Sequence, residues 1–405
     1  MIETWKFTNL GKVFESITNG VNCDQKLNSG KHLITRIETI SKGVVDLERI
    51  GRADLNEKEL SKYRLTKNDI LFSHINSPIH VGKTALFDTK EEVYHGVNLL
   101  RIRTIKDVDP KFLRYFLLFL YTSGFWRTIA KQSVNQASVN QKDISAVPFS
   151  YPSIDRQREI VEKLDSAFAE IELSFQKTTE CLNFLSSCFD SFLDKIIKNQ
   201  ILEFGLKKMV EVLEIARGGS PRPISSYLTN SKDGVNWVKI SDATSSKKYI
   251  TETSQKIKPE GVSRSRLVKP GDFLLSNSMS FGRPYIMGTT GCIHDGWLVL
   301  SNDKKLLNQD YLYYVLGSKY IYDQFNRSAA GSTVRNLNIS LAGQVTFPVP
   351  DLETQESVVT QLMDFETSID ELKKSTADKL SKLLELKNSI LSGAFKATDS
   401  SEAVA

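Results

Sequence analysis

Four cysteines in 405 residues, at Cys23, Cys181, Cys188 and Cys292, are too few and too scattered for a disulfide framework. None forms a CxxC pair, so a structural zinc site is not expected either. No apolar run reaches the length of a bilayer span, and the stretch 112–121 suits a buried helix better. No secretory apolar segment opens the chain, so the expectation is a soluble cytoplasmic protein with no membrane partner. Histidine is scarce, with five residues, His32, His74, His80, His95 and His294, that form no cluster. The signatures GxxxxGK[ST], HExxH and GxSxG are all missing. No catalytic residue, metal ligand or cofactor site is therefore expected in this chain.

What the chain does contain is a long amphipathic stretch, residues 152–198. Apolar side chains fall at Ile160, Leu164, Ala167, Ile171, Phe175, Leu182, Leu185, Phe189, Phe192 and Ile196, with Thr178 in the one polar slot. Alternating steps of three and four make the seam of a coiled coil. About 40 helical residues extend roughly 60 Å, and such a seam needs a partner. The partner lies 198 residues on: Pro152-Ser153-Ile154-Asp155-Arg156-Gln157 is echoed by Pro350-Asp351-Leu352-Glu353-Thr354-Gln355. A second seam follows through Phe365, Ile369, Leu372, Leu380, Leu383, Leu386 and Ile390. The chain is a duplicated unit of variable body and long helix.

Charge divides along the same lines. Residues 1–150 carry 22 Lys+Arg against 16 Asp+Glu, and 201–350 carry 19 against 12. The helical stretches are acidic, 6 against 9 over 151–200 and 6 against 11 over 351–405. Basic bodies that bind a polyanion, and acidic helices that contact protein, would produce this partition.

Within the first body, strands are expected at 33–37, 69–73 and 96–102, with helices at Glu57–Tyr63 and over 110–121. The second body repeats these landmarks at 272–276, 296–300 and 311–316, while the intervening residues differ. The loop 73–83 has its counterpart in 276–283, and Gly82 and Gly282 suit backbone turns. Asn76-Ser77-Pro78-Ile79 lacks the second proline and the aromatic of the amino-methyltransferase tetrapeptide, and no glycine-rich cofactor loop accompanies it. Arg217-Gly218-Gly219-Ser220-Pro221-Arg222-Pro223 is a rigid turn carrying two arginines, and Lys247-Lys248-Tyr249 and residues 264–269 add basic character suited to phosphates and base edges.

Together these features resemble one family, the DNA specificity subunit of Type I restriction-modification enzymes. The doubled Pro-x-[Ile/Leu]-acid-x-Gln helix start is the most specific element, joined by Trp237-Val238-Lys239-Ile240-Ser241-Asp242 and Lys269-Pro270-Gly271-Asp272-Phe273-Leu274-Leu275-Ser276. The first body departs from the last motif, with Thr66-Lys67-Asn68-Asp69 where a glycine is usual. The resemblance implies an α+β fold: two pseudo-repeated target recognition domains separated by a long antiparallel two-helix coiled coil. The segments would be a first recognition domain over 1–150, a first spacer helix over 151–200, a second recognition domain over 201–349, a second spacer helix over 350–396, and a C-terminal tail over 397–405.

The resemblance further implies that each domain reads half of a split target in double-stranded DNA, with the helices setting the gap. One added heptad would lengthen a helix by about 10.5 Å, roughly three base pairs. Two methyltransferase subunits and restriction or motor subunits would be the protein partners. S-adenosylmethionine and ATP with Mg would bind those partners, and this chain would carry no cofactor. Expected DNA contacts are Arg36, His74, Asn76 and Lys83 in the first body and Arg217, Arg222, Lys247, Lys248, Asn277, Ser278 and Arg283 in the second. Expected spacer pairing uses Ile171, Leu182, Leu185, Phe189, Ile369, Leu372, Leu383 and Ile390. Two rival readings are a coiled-coil interaction scaffold without sequence specificity, and a nuclease or methyltransferase with a degenerate site.

Overall fold

Period-two alternation and short apolar runs become strands here, and hydrogen bonding fixes their order. A computed structural model of the chain describes residues 5–25, 29–133, 136–246, 248–277, 282–302, 305–329 and 337–396. In the first body an antiparallel sheet runs, in spatial order, Phe14–Asn19, Leu100–Thr104, Ile70–Phe72 and Thr84–Leu86. All three residues of Ile70–Phe72 are buried, as a strand with no polar side chain requires. A second sheet places His32–Ile34 between Gly51–Ala53, antiparallel, and Val93–Tyr94, parallel. The helix Pro110–Thr122 starts from Asp109, whose side chain accepts from the backbone N–H groups of Lys111 and Phe112.

The second body repeats this plan. Its antiparallel run is Glu214–Arg217, Trp297–Ser301, Phe273–Ser276 and Pro284–Met287, extended at one edge by Tyr249–Ile250 in parallel pairing. Val235–Val238 lies between Gln255–Ile257, antiparallel, and Gly291–Ile293, parallel. Gln309–Gly317 is the counterpart helix, capped by Asn308.

Two strand expectations need correction. The strand expected over 33–37 ends at Ile34, because the 3-10 turn Glu38–Ile40 begins at its heels. The strand expected over 96–102 is displaced to Leu100–Thr104. Gly96 instead forms a close approach: a Cβ there would sit 2.1 Å from the Thr35 carbonyl oxygen. The glycine missing from 66–69 has a simple resolution. Asn68 adopts φ 73° where the second body has Gly271 at φ 92°, and asparagine tolerates the left-handed region better than most residues.

The repeated Pro-to-Gln motif also has a physical reason. Gln157 and Gln355 are fully buried. The Gln157 Oε1 accepts from the Asp109 backbone N–H at 2.8 Å, and its Nε2 donates to the carbonyls of Asp107 and Pro152, both at 2.9 Å. Gln355 does the same with Asn308 at 2.7 Å, Leu306 at 2.9 Å and Pro350 at 2.8 Å. In each body one buried amide ties the start of a long helix to the cap of the helix beside it, satisfying three backbone groups that would otherwise lose water without compensation.

The long helices are Ile154–Phe204 and Leu352–Lys396. The chain divides into two compact units, Met1–Thr178 with Asp378–Ala405, and Thr179–Ala377, so each long helix contributes to both. This division cuts across the five segments expected from the sequence. In the first unit Val161, Leu164, Leu391 and Phe395 join the core of the first body. In the second unit Leu193, Ile197, Val358 and Leu362 join the core of the second body. Lys387 lies over the Phe168 ring at 5.1 Å, and Phe192 meets Phe365 at 4.3 Å. Facing numbers rise on one helix as they fall on the other, so the pairing is antiparallel.

Ile171, Leu185 and Ile369 are buried in the seam, and Leu182, Phe189, Leu383 and Ile390 are half-buried. Leu372 does not belong there, being 54% exposed, and Leu386 is 48% exposed. The partly buried side chains after Ile369 are Lys373, Thr376, Leu380, Leu383 and Lys387. Two successive steps of four, from Phe365 to Ile369 to Lys373, shift the seam by one residue. The first helix makes the same shift at Ala167, Ile171 and Phe175, where an aromatic marks it; in the second helix a lysine stem fills the slot and hides it.

Candidate nucleic-acid interface

The two corresponding loops close in the same way. Ser73 N–H donates to the Lys83 carbonyl and Gly82 N–H to the Ser73 carbonyl, both at 2.8 Å. Ser276 N–H donates to Arg283 at 3.1 Å and Gly282 N–H to Ser276 at 2.8 Å. Gly82 and Gly282 have φ of 90° and 73°, and a Cβ on them would lie 2.2 Å from the Trp126 ring and 2.6 Å from the Phe325 ring. Both glycines are therefore structural turns, as the sequence suggests.

The first-body candidates largely turn inward. Asn76 Oδ1 accepts from the Ser77 N–H at 2.8 Å and its Nδ2 donates to Ser73 Oγ at 3.0 Å. Lys83 Nζ donates to the Ser41 carbonyl at 2.7 Å, and burial lowers its pKa. Burial pushes His74 down to about 4, leaving a neutral ring at neutral pH. Asn76 and Lys83 are thus held by neighbouring groups, whereas the His74 Nδ1 is buried with no hydrogen-bond partner among the described residues. Arg36 is partly exposed and pairs with Glu38 at 3.4 Å.

Second-body candidates divide more sharply. Lys248 is ion-paired with Asp310 at 2.5 Å and lies 4.8 Å from the Tyr313 ring centroid, so it is committed internally. Asn277 is 1% exposed, and its Nδ2 donates to the Asp295 carbonyl at 2.9 Å, which makes it a scaffold residue too. Arg283 is exposed and lines a cavity of about 850 Å³ with Tyr313, Tyr322 and Glu366. Lys247 and Ser278 lie outside the described residues.

Arg217 and Arg222 come together on one residue that the sequence reading did not single out. Asp295 accepts from Ser220 Oγ at 2.7 Å on Oδ1 and from Arg222 Nη2 at 3.2 Å on Oδ2. Its carbonyl accepts from Arg217 Nε and from Asn277 Nδ2, both at 2.9 Å. The Ser220 hydroxyl above all, with Arg222 contributing, holds the Asp295 carboxyl below the usual carboxylate range. Beside this hub opens a cavity of about 1310 Å³ lined by Arg222, Trp237, Lys239, Ser241, Thr244 and His294 among others. The His294 ring is pushed towards neutrality by burial. The result is an open groove with Arg222, Lys239 and the half-exposed Asp295 in its lining. Its signal in the sequence was slight: Asp295 is the lone acid between Asp272 and Asp303.

Comparison with known proteins agrees with the repeat. A family model described as the Type I restriction modification DNA specificity domain matches twice, over residues 2–182 and 202–382. A protein described as a type I restriction enzyme MjaX specificity subunit, from Methanocaldococcus jannaschii, is 28% identical over 97% of this chain and 94% of its own length. The EcoKI specificity subunit of Escherichia coli K12 is 23% identical over 49% of this chain and 43% of its own. A chain from a study of complex assembly and conformational transition in the type I R-M system shares the fold with a TM-score of 0.68 at 17% identity, covering 96% of this chain and 97% of that one. The HsdS subunit of Thermoanaerobacter tengcongensis does so with a TM-score of 0.57 at 17% identity, covering 97% and 96%. With both bodies matched separately, the chain belongs to the Type I restriction-modification DNA specificity family, as a DNA specificity subunit built from two copies of the recognition domain.

Proposed function

We propose that this chain selects a split target in double-stranded DNA, the first body reading one half-site and the second body the other. The observation that carries this reading is scaffold identity beside surface divergence. Both bodies keep the order of their shared strands, the glutamine clamp and the glycine turn, yet among the described residues only the second has the Asp295 hub. The two long helices act as the spacer that sets the gap, with Ile171, Leu182, Leu185, Phe189, Ile369, Leu383 and Ile390 in the pairing seam. Basic surface on both bodies supplies salt-dependent affinity, and a few side chains supply discrimination.

In this reading the chain is not itself an enzyme. Two methyltransferase subunits and restriction or motor subunits carry out methylation and cleavage, and S-adenosylmethionine and ATP with Mg bind there. Among the described residues no helix is long and apolar enough to cross a membrane, which accords with work on cytoplasmic DNA.

The test is methylation sequencing of cells that express this chain with its adjacent methyltransferase, beside cells with the methyltransferase alone. A bipartite motif with a fixed gap, present only when this chain is supplied, is the expected outcome. Absence of any chain-dependent motif, together with equal affinity for unrelated duplexes, would favour an interaction scaffold instead.

A further inference from the structure

Resting on that reading, we infer that the Asp295 carboxylate is a positioning group for half-site discrimination by the second body, orienting Arg222 in the attitude from which it meets DNA. A carboxylate on a DNA-facing surface repels phosphates, so its presence there needs a compensating use. The ion pair itself adds little to fold stability, because Arg222 is 79% exposed and Asp295 45% exposed. Orientation is that use. Arg222 engages Asp295 through Nη2, and Arg217 engages its carbonyl through Nε, so the remaining guanidinium N–H groups point to other acceptors. A guanidinium tethered through one nitrogen keeps its other N–H groups available for bidentate recognition of a guanine edge or a phosphate.

The support is itself anchored. The Asp295 carbonyl also receives Nδ2 of Asn277, which is 1% exposed, and the carboxylate receives the Ser220 hydroxyl. In the first body Asn19 pairs with Leu100 as Arg217 pairs with Leu298, which places Val97 at the position of Asp295. No carboxylate exists there, so the effect is confined to the second half-site.

The experiment uses the full chain co-expressed with its methyltransferase subunits, as wild type, Asp295→Asn, Arg222→Ala and the double variant, read by methylation sequencing. Asp295→Asn is expected to leave the first half-site and the gap unchanged while preference at one or more bases of the second falls roughly ten-fold, the equivalent of about 1.4 kcal/mol. The double variant should lose no more than Arg222→Ala, since Asp295 acts through the arginine. The purified Asp295→Asn complex should bind unrelated duplex DNA at least as tightly as wild type, because a repulsive charge is gone. An unchanged second half-site, losses that multiply in the double variant, or equal losses at both half-sites would each overturn the inference. Failure of the wild-type complex to yield any chain-dependent motif would instead sink the proposed function.

Discussion

The two bodies differ most instructively just before the strands Leu100–Thr104 and Trp297–Ser301, where the first has Gly96-Val97 and the second has His294-Asp295. The backbone around them is shared. Gly20 and Gly218 each end the approach of a first strand, and a Cβ on them would lie 2.3 Å from the Gly96 carbonyl oxygen and 2.1 Å from that of His294. In the first body this corner is sealed: His95 is fully buried, its Nε2 lies 2.9 Å from the Leu99 carbonyl, and burial pushes its pKa to about 4. In the second body the corner opens into the groove beside Asp295. Duplication has kept the covalent turn and the packing beneath it while the outward side chains went separate ways. A surface side chain can change at little cost to the fold, whereas Gly20 and Gly218, pressed against backbone, cannot.

Several substitutions would break or sharpen that comparison. Ile171→Asp and Ile369→Asp occupy matching seam positions in the two units, 7% and 3% exposed, and each should cost about 3 to 5 kcal/mol by burying an unpaired charge. Leu372→Asp should stay within about 0.5 kcal/mol, so a large effect in denaturant unfolding would restore the unshifted seam. Gly82→Ala should cost about 3 kcal/mol and Gly282→Ala somewhat less, since the clash with Trp126 is tighter than that with Phe325. Hydrogen exchange resolved by body would show the order, and a reversed order would contradict it.

Gln157→Ala and Gln355→Ala should each cost about 2 to 3 kcal/mol, equal within about 0.5 kcal/mol if the clamp is a true repeat. Unequal losses in the same exchange measurement would mark one clamp as dispensable. Acid should then separate the bodies. His74 and His95 have folded pKa values near 4 against 6.5 for the free ring, so the unfolded chain binds more protons between those values. Their contribution is complete above about pH 6.5 and is lost as pH falls towards 4. Exchange protection of the first body should therefore drop more steeply from pH 7 to pH 5 than that of the second, and parallel loss would sink the assignment. The smallest effects belong to the swap Asn68→Gly and Gly271→Asn. Relief of left-handed strain and the greater freedom of an unfolded glycine oppose each other, leaving changes within about 0.5 kcal/mol in thermal unfolding.

Much of the fold is legible in the chain itself. Seam periodicity locates both long helices because each needs a continuous apolar stripe, and the Pro-to-Gln echo marks their starts. Strand centres such as Ile70–Phe72 and Phe273–Ser276 stand out because burial on both faces demands unbroken apolar runs. Leucine is the expected seam residue at 372, and only burial in the folded chain shows that Lys373 takes that place instead. The candidate site was less legible. Residue type alone suggests that Asn76, Lys83, Lys248 and Asn277 face a ligand, yet each is held by a neighbour distant or local that the sequence does not pair with it.

The sequence by itself therefore determined the duplication, the two long helices and the kind of protein they build, because periodicity and repeated motifs are local properties of the chain. Only the tertiary structure decided which cations remain outward and what holds them. Arg217 and Asp295 are 78 residues apart, and Lys83 and Ser41 are 42 apart. Whether a polar side chain faces solvent or satisfies a buried carbonyl depends on which backbone folds against it, and that is settled by packing across the whole body.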